Sequence, residues 1–238
     1  MFHLMYLPIA VIFLGLTIGM YRAFNAGNLV LGGNALASLV AICIPLLLDI
    51  IILPQVESSI HIGPVLPLWI AVAGGLHSIG MTTIYERIWW WDHLTHLVSA
   101  SLIGAVVYGG LLAIDAEPTL ADLGWPTIAG VTVGITLLAG VFWELIELVG
   151  RDIASSLGRE PLLVPYDRLD TTLDLVVDLI GPIMILLLDI RMFVDLWEQS
   201  PITAEIVLTW VTAVLLVGSV VFGAWHLWYH RDRYFQFS

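Results

Sequence analysis

Seven long apolar runs, separated by short breaks, dominate the sequence; they cover residues 4–21, 29–52, 64–85, 92–114, 125–149, 171–190 and 202–229. Each is close to the roughly 20 residues an α-helix needs to cross the hydrocarbon core of a bilayer. The breaks carry turn signals: Asn25-Ala26-Gly27-Asn28, the stretch from Pro54 to Pro64, and Glu117-Pro118. The expected fold class is therefore all-α: a polytopic membrane helical bundle of about seven transmembrane helices, forming one transmembrane domain over residues 1–238. Composition agrees, with 12% charged residues where an ordinary soluble domain carries about a quarter. No internal repeat, low-complexity tract or second domain interrupts the pattern. The opening Met-Phe-His-Leu lacks a basic n-region and a clear small-residue cleavage site, so the first run is expected to be a retained helix.

Several function classes fall away at once. All 8 basic residues are Arg, set against 20 acidic ones for a net charge of −12, the wrong sign for nucleic-acid phosphates. The absence of Lys leaves no amine for a retinal Schiff base, which removes the rhodopsin reading that seven spans invite. The single Cys43 allows neither an internal disulfide nor a Cys-based metal site. An acid-rich, Lys-free surface fits a cell with a high internal salt concentration.

The Arg residues set an orientation by the positive-inside rule. Arg22 follows the first run, Arg87 the third, and Arg151, Arg159 and Arg168 lie between the fifth and sixth; Arg231 and Arg233 follow the seventh. The opposite breaks hold only Arg191. Seven against one predicts the N-terminus outside and the C-terminus inside. Trp89, Trp90, Trp91, Trp225 and Trp228 then form the inner aromatic belt, and Trp125 and Trp197 the outer one.

Charged groups within spans are costly and mark functional sites by default. Asp92 and His96 stand one turn apart at the start of the fourth span, Glu144 and Glu147 at the end of the fifth. Asp170, Asp174 and Asp178 form an i, i+4, i+8 stripe at the start of the sixth. Under the predicted orientation all three ends lie inside, so the groups converge within roughly the innermost 10 Å of the membrane. Asp178, Glu144 and His96 are expected to be deepest.

Six carboxylates and the imidazoles of His93 and His96 cannot all be buried and ionised without compensation. Protonation or a cation must neutralise the cluster. Carboxylate and imidazole donors suit a divalent Mg²⁺, Mn²⁺ or Zn²⁺, with Glu144, Glu147, Asp170, Asp174, Asp178 and His96 as candidate ligands. Asp92, His96, Glu144, Asp174 and Asp178 are the candidate catalytic residues. Arg151 and Arg168 are candidate phosphate clamps.

Blander roles compete. Asp152, Asp167, Asp170 and Glu147 read as helix ends meeting water, Asp92 and Asp170 also as N-caps, and the three Arg residues as positive-inside anchors. His93, His226 and His230 read as interfacial, and His77 as a packed histidine near the cavity. Asp49, Asp189 and Glu205 read as solvated ends on the far side. Gly104, Gly130, Gly134 and Gly140 read as close-packing positions.

Asp92…His96, Glu144-x-x-Glu147 and Arg168…Asp174-x-x-x-Asp178-x-x-Gly181 resemble the ordered pattern of the VanZ-like membrane proteins. Asp170-Thr171…Asp174 resembles the related YjdF-type predicted membrane proteins more closely. The VanZ-like pattern often has Lys where this chain has His93, Gln at Glu147 and Asn at Asp178, so this chain carries extra carboxylates. The resemblance implies an integral membrane protein acting on lipid or polyprenyl head-groups.

Three functions follow as alternatives. The first is an intramembrane enzyme acting on a lipid-linked phosphate or head-group, its partners membrane lipids. The second is a cation or proton transporter, which needs a polar path to the far side that the fourth and sixth spans do not supply. The third is a non-catalytic subunit whose buried acids hold helices together. A prenyltransferase-like reading of the Asp170/Asp174/Asp178 stripe ranks lower, because such enzymes present two Asp-x-x-x-Asp motifs.

Overall fold

The computed structural model describes residues 2–55, 60–156, 158 and 169–231, and among them every regular element is helical. In chain order these are α1 (Phe2–Asn25), α2 (Leu29–Leu47), α3 (Leu53–Gln55), α4 (Val65–Ile79), α5 (Tyr85–Arg87), α6 (Trp90–Ala116), α7 (Gly124–Ser156), α8 (Asp170–Leu187), α9 (Val194–Glu198) and α10 (Pro201–Tyr229). Single π-helical turns, Leu48–Ile52 and Gly80–Ile84, join α2 to α3 and α4 to α5.

Among the described residues, six helical stretches are long and apolar enough to span a bilayer: those of α1, α2–α3, α4–α5, α6, α7 and α10. Backbone groups in lipid find partners only inside the segment, which is why apolar runs of this length become helices. The chain is thus a multi-pass membrane protein built as a helical bundle. The sixth apolar run differs from expectation. As α8 it has 18 residues with Asp170, Asp174 and Asp178 among them, about 27 Å of helix at 1.5 Å per residue.

α6 is the central helix, more buried than any other spanning helix, and it packs against α4, α7, α8, α9 and α10. One apolar core gathers Tyr108, Leu111, Ile128, Ile135, Ile185 and Leu208 around it. A second joins α1, α2 and α4 through Ile9, Leu16, Leu39, Ile42 and Ala71. The exposed Leu, Ile and Val of α1, α2, α8 and α10 form the surface that a bilayer covers.

Small residues decide how closely α6 and α8 approach. A Cβ on Gly104 would lie 3.0 Å from Pro182 Cα, and one on Gly181 would lie 2.8 Å from Ser101 N. A Cβ on Gly140 of α7 would run into the Asp178 carboxylate. Gly130 and Gly134, in contrast, face open space, so only Gly104 and Gly140 of the four expected packing glycines act as such. Two of the expected belt tryptophans also differ in role. Trp91 donates to Leu76 O at 3.1 Å and Trp197 to Val106 O at 2.9 Å, tying helices together.

Two of the three acids at the other end of the bundle, Asp49 and Asp189, hold structural contacts, while Glu205 is exposed as expected. Asp49 accepts from the backbone N–H groups of Ile62 and Gly63 at 2.8 and 3.3 Å. Asp189, beyond the C-terminal end of α8, accepts from the buried Tyr108 hydroxyl at 2.6 Å and from Arg191 Nε at 2.8 Å. The Arg191 bond, then that of Tyr108, holds its carboxyl below the usual range. Asp189 sits at φ +48°, a conformation Asn also tolerates, so Asp189→Asn removes the charge without straining the backbone. The carboxylate's contribution to stability is complete above its unfolded pKa of about 3.9 and is lost as pH falls through the depressed folded value. The variant is expected to melt below the wild type at pH 7, with the gap narrowing as pH falls through the depressed folded value, in melting curves run from pH 7 downward; parallel curves would contradict this role.

Candidate functional site

The N-terminal turns of α6 and α8 and the C-terminal half of α7 meet at one end of the bundle. α8 faces inward with one stripe: Asp174, Asp178, Gly181, Pro182 and Ile185 are buried. The intervening Leu173, Val176 and Ile180 are exposed. α6 turns His93 and His96 toward that stripe, and α7 brings up Glu144 from the third side.

His96 is the centre of the cluster. Its Nδ1 lies 3.1 and 3.2 Å from the two oxygens of Asp178, and its Nε2 points away from them, 3.8 Å from Glu144 Oε1 and 4.0 Å from Asp92 Oδ1. Those separations exceed a hydrogen bond. Glu144 Oε1 is buried and has no hydrogen-bond partner among the described residues. Asp174 joins from α8 through His93 Nδ1 at 2.6 Å. Donor atoms of Asp92, His96 and Asp174 all lie within 4.8 Å of one another.

Five sequence-predicted residues, Asp92, His96, Glu144, Asp174 and Asp178, are therefore brought together. Glu147 is buried as well, so it is not a solvated helix end; it accepts from Trp143 Nε1 at 3.0 Å and faces Arg151 Nη1 at 3.9 Å. Asp170 is half-buried at the start of α8 and lies outside the three-residue group around His96. Neither Asp92 nor Asp170 is an N-cap, since Trp89 and Leu169 hold those positions. Arg168, Arg159 and Asp167 lie outside the described residues.

His96 and Asp178 also line a partly open cavity of about 350 Å³ between α2, α4, α6, α7 and α8, with Asn34, Ser38, His77 and Thr136 on its wall. His77 bonds the Tyr85 hydroxyl through Nδ1 at 2.6 Å, while its Nε2 is buried without a partner among the described residues. Tyr85 is placed by the π-helical turn before it, which includes Thr83 at φ 148°, a region costly for a β-branched residue.

Some engaged side chains, in the cluster and beyond it, do not follow from sequence. His93 is not interfacial, because it holds Asp174. Asp152 is not solvated: it is buried between His226 Nδ1 at 2.7 Å and His230 Nε2 at 2.8 Å. A histidine in the first or last turn of a span reads as interfacial until its partner, 74 to 81 residues distant, is known. The i, i+4 spacing of His226 and His230 was the one local signal.

No curated protein and no solved structure matches the chain. A family model described as "Predicted membrane protein (DUF2238)" matches residues 2–195, from α1 into α9. With most of the bundle and all of the α6–α7–α8 cluster inside that match, the chain belongs to the DUF2238 family of predicted membrane proteins.

Proposed function

We propose that the chain is an intramembrane enzyme acting on a lipid-linked phosphate or lipid head-group, with a divalent cation held by His96 together with Asp92, Asp174 and Glu144. The observation that carries this reading is the pairing of His96 Nε2 with the buried, unpartnered Oε1 of Glu144 at 3.8 Å. Burying a carboxylate oxygen with nothing to accept from is costly, and a cation between the two atoms would remove that cost. Asp178 on the opposite ring nitrogen is the arrangement that fixes a metal-ligating imidazole's tautomer and orientation. A bound divalent ion would supply Lewis-acid polarisation of a phosphoryl oxygen.

Around the cluster, this chain's own residues would do the rest. The cavity beside His96 offers an apolar wall with a few polar groups, as small-molecule sites commonly do, and His77, whose Nε2 has no hydrogen-bond partner among the described residues, stands on that wall. Arg151, one turn beyond Glu147, brings positive charge to the same end. The Arg-rich breaks support a cytoplasmic, head-group-level position for that end. The likeness to VanZ-like and YjdF-type proteins, which rests on the order of these acids and His96 along the sequence, suggests the same substrate class.

The test is a metal analysis of the purified protein beside an Asp174→Asn/Asp178→Asn variant, followed by turnover of lipid phosphates in mixed micelles. One more equivalent of divalent metal in the wild type than in the variant, with turnover by the wild type alone, is the expected result. Equal metal content and no turnover by either protein would overturn the reading and leave the acids as a device for holding helices together.

A further inference from the structure

We propose that Asp152, His226 and His230 form a second metal site, one for zinc, which fastens the C-terminal end of α10 to that of α7. His226 and His230 are one turn apart on α10, a spacing that presents two imidazole nitrogens on one helix face. Asp152 meets both from α7: Oδ2 lies 2.7 Å from His226 Nδ1, and Oδ1 lies 2.8 Å from His230 Nε2. Donor atoms of the three residues lie within 4.8 Å of one another. The side chains of Asp152, His226 and His230 are 10%, 20% and 14% exposed, so the group is built into the helix interface rather than displayed on the surface.

The donor set chooses the ion. Two imidazoles and one carboxylate, with no sulfur and a single acidic residue, suit zinc; magnesium and calcium prefer sites made of oxygen. Zinc–donor bonds of about 2.0–2.1 Å in a tetrahedron place donors roughly 3.4 Å apart. The present separations of 2.7 and 2.8 Å would have to open by about 0.6–0.7 Å, leaving the fourth position to water.

Packing holds the two helices in the register this needs. Phe142 of α7 stacks on Phe222 of α10 with ring centroids 5.5 Å apart and planes 9° from parallel. Gly218 gives that ring room: a Cβ there would lie 2.5 Å from Phe142 Cε2. Both histidines lie past residue 195, where the family match ends, so the site would be a feature of this chain's C-terminal helix and does not rest on the function proposed above.

The full-length protein in detergent, stripped with EDTA, would be titrated with zinc beside His226→Gln, His230→Gln and Asp174→Asn/Asp178→Asn. The wild type and the Asp174/Asp178 variant are expected to share one zinc-binding equivalent that His226→Gln and His230→Gln bind at least about tenfold more weakly. In the wild type alone, zinc is expected to protect His226 and His230 from diethyl pyrocarbonate, read by peptide mass spectrometry. This second measurement decides the matter if a variant fails to fold. Unchanged zinc affinity in folded histidine variants, or no protection of His226 and His230 by zinc, would overturn the proposal.

Discussion

His96→Gln is expected to lower divalent-cation affinity and turnover by at least about a hundredfold, and Asp178→Asn by about 10- to 100-fold, the usual range for a partner behind a metal ligand. The ranking follows from geometry. His96 touches Asp178 through one nitrogen and faces Glu144 and Asp92 with the other, so losing the imidazole would remove the proposed ligand itself. Losing the Asp178 charge leaves the ligand in place with its orientation less firmly set. His93→Gln, which breaks only the 2.6 Å contact to Asp174, should have the smallest effect of the three. Titration with Mn²⁺ and steady-state turnover on the same monodisperse samples would read all three. Effects within twofold of wild type for both His96→Gln and Asp178→Asn would sink the catalytic reading.

Gly181→Val should have the largest effect on stability. The Cβ it adds would lie 2.8 Å from Ser101 N and 2.9 Å from Ala100 Cβ, so backbone rather than a flexible side-chain tip stands in the way. α8 must move off α6, and overpacking of this kind costs about 1–3 kcal/mol before any loss of the contacts around it. Because Asp178 and Asp174 ride on the same helix, the shift also pulls them from His96 and His93. Thermal unfolding in detergent should show a markedly lowered midpoint for Gly181→Val and a wild-type midpoint for Gly130→Val, whose added side chain faces open space. Similar midpoints for the two variants would contradict this account of the α6–α8 contact.

Much of this was readable in the chain. Apolar runs at 92–114 and 202–229 became Trp90–Ala116 and Pro201–Tyr229, because in lipid a run of that length has one way to satisfy its backbone. Boundaries failed where tertiary contacts intervened. The run ending at 149 continues as α7 to Ser156, since Arg151 pairs with Glu147 one turn back and Asp152 is taken up by two histidines of α10. The run 171–190 stops at Leu187 because Asp189 leaves helical conformation to meet Tyr108 and Arg191. The core of the site was legible because a carboxylate inside an apolar helix is too costly to keep there without a partner or a task. Its outer member His93 was not, nor was the separate Asp152, His226 and His230 group: all sit at span ends, where a polar residue is ordinary and only a distant partner shows that it is engaged.

The single-sided charge on α8 bears on how the chain reaches the membrane at all. A carboxylate at the centre of an inserting helix costs about 2.5–3.5 kcal/mol on translocon scales, and α8 carries Asp174 and Asp178 within a segment of only 18 residues. Such a segment partitions poorly as an isolated unit. Its outward Leu173, Val176, Ile180 and Leu187 suit lipid, but its inward face needs α6 and α7 already there to receive it. Insertion of α8 is therefore expected to be coupled to assembly: His93 and His96 of α6 stand where they would receive Asp174 and Asp178 of a helix made later, and a chain from which α6 had been deleted is expected to leave α8 without a stable place in the bilayer.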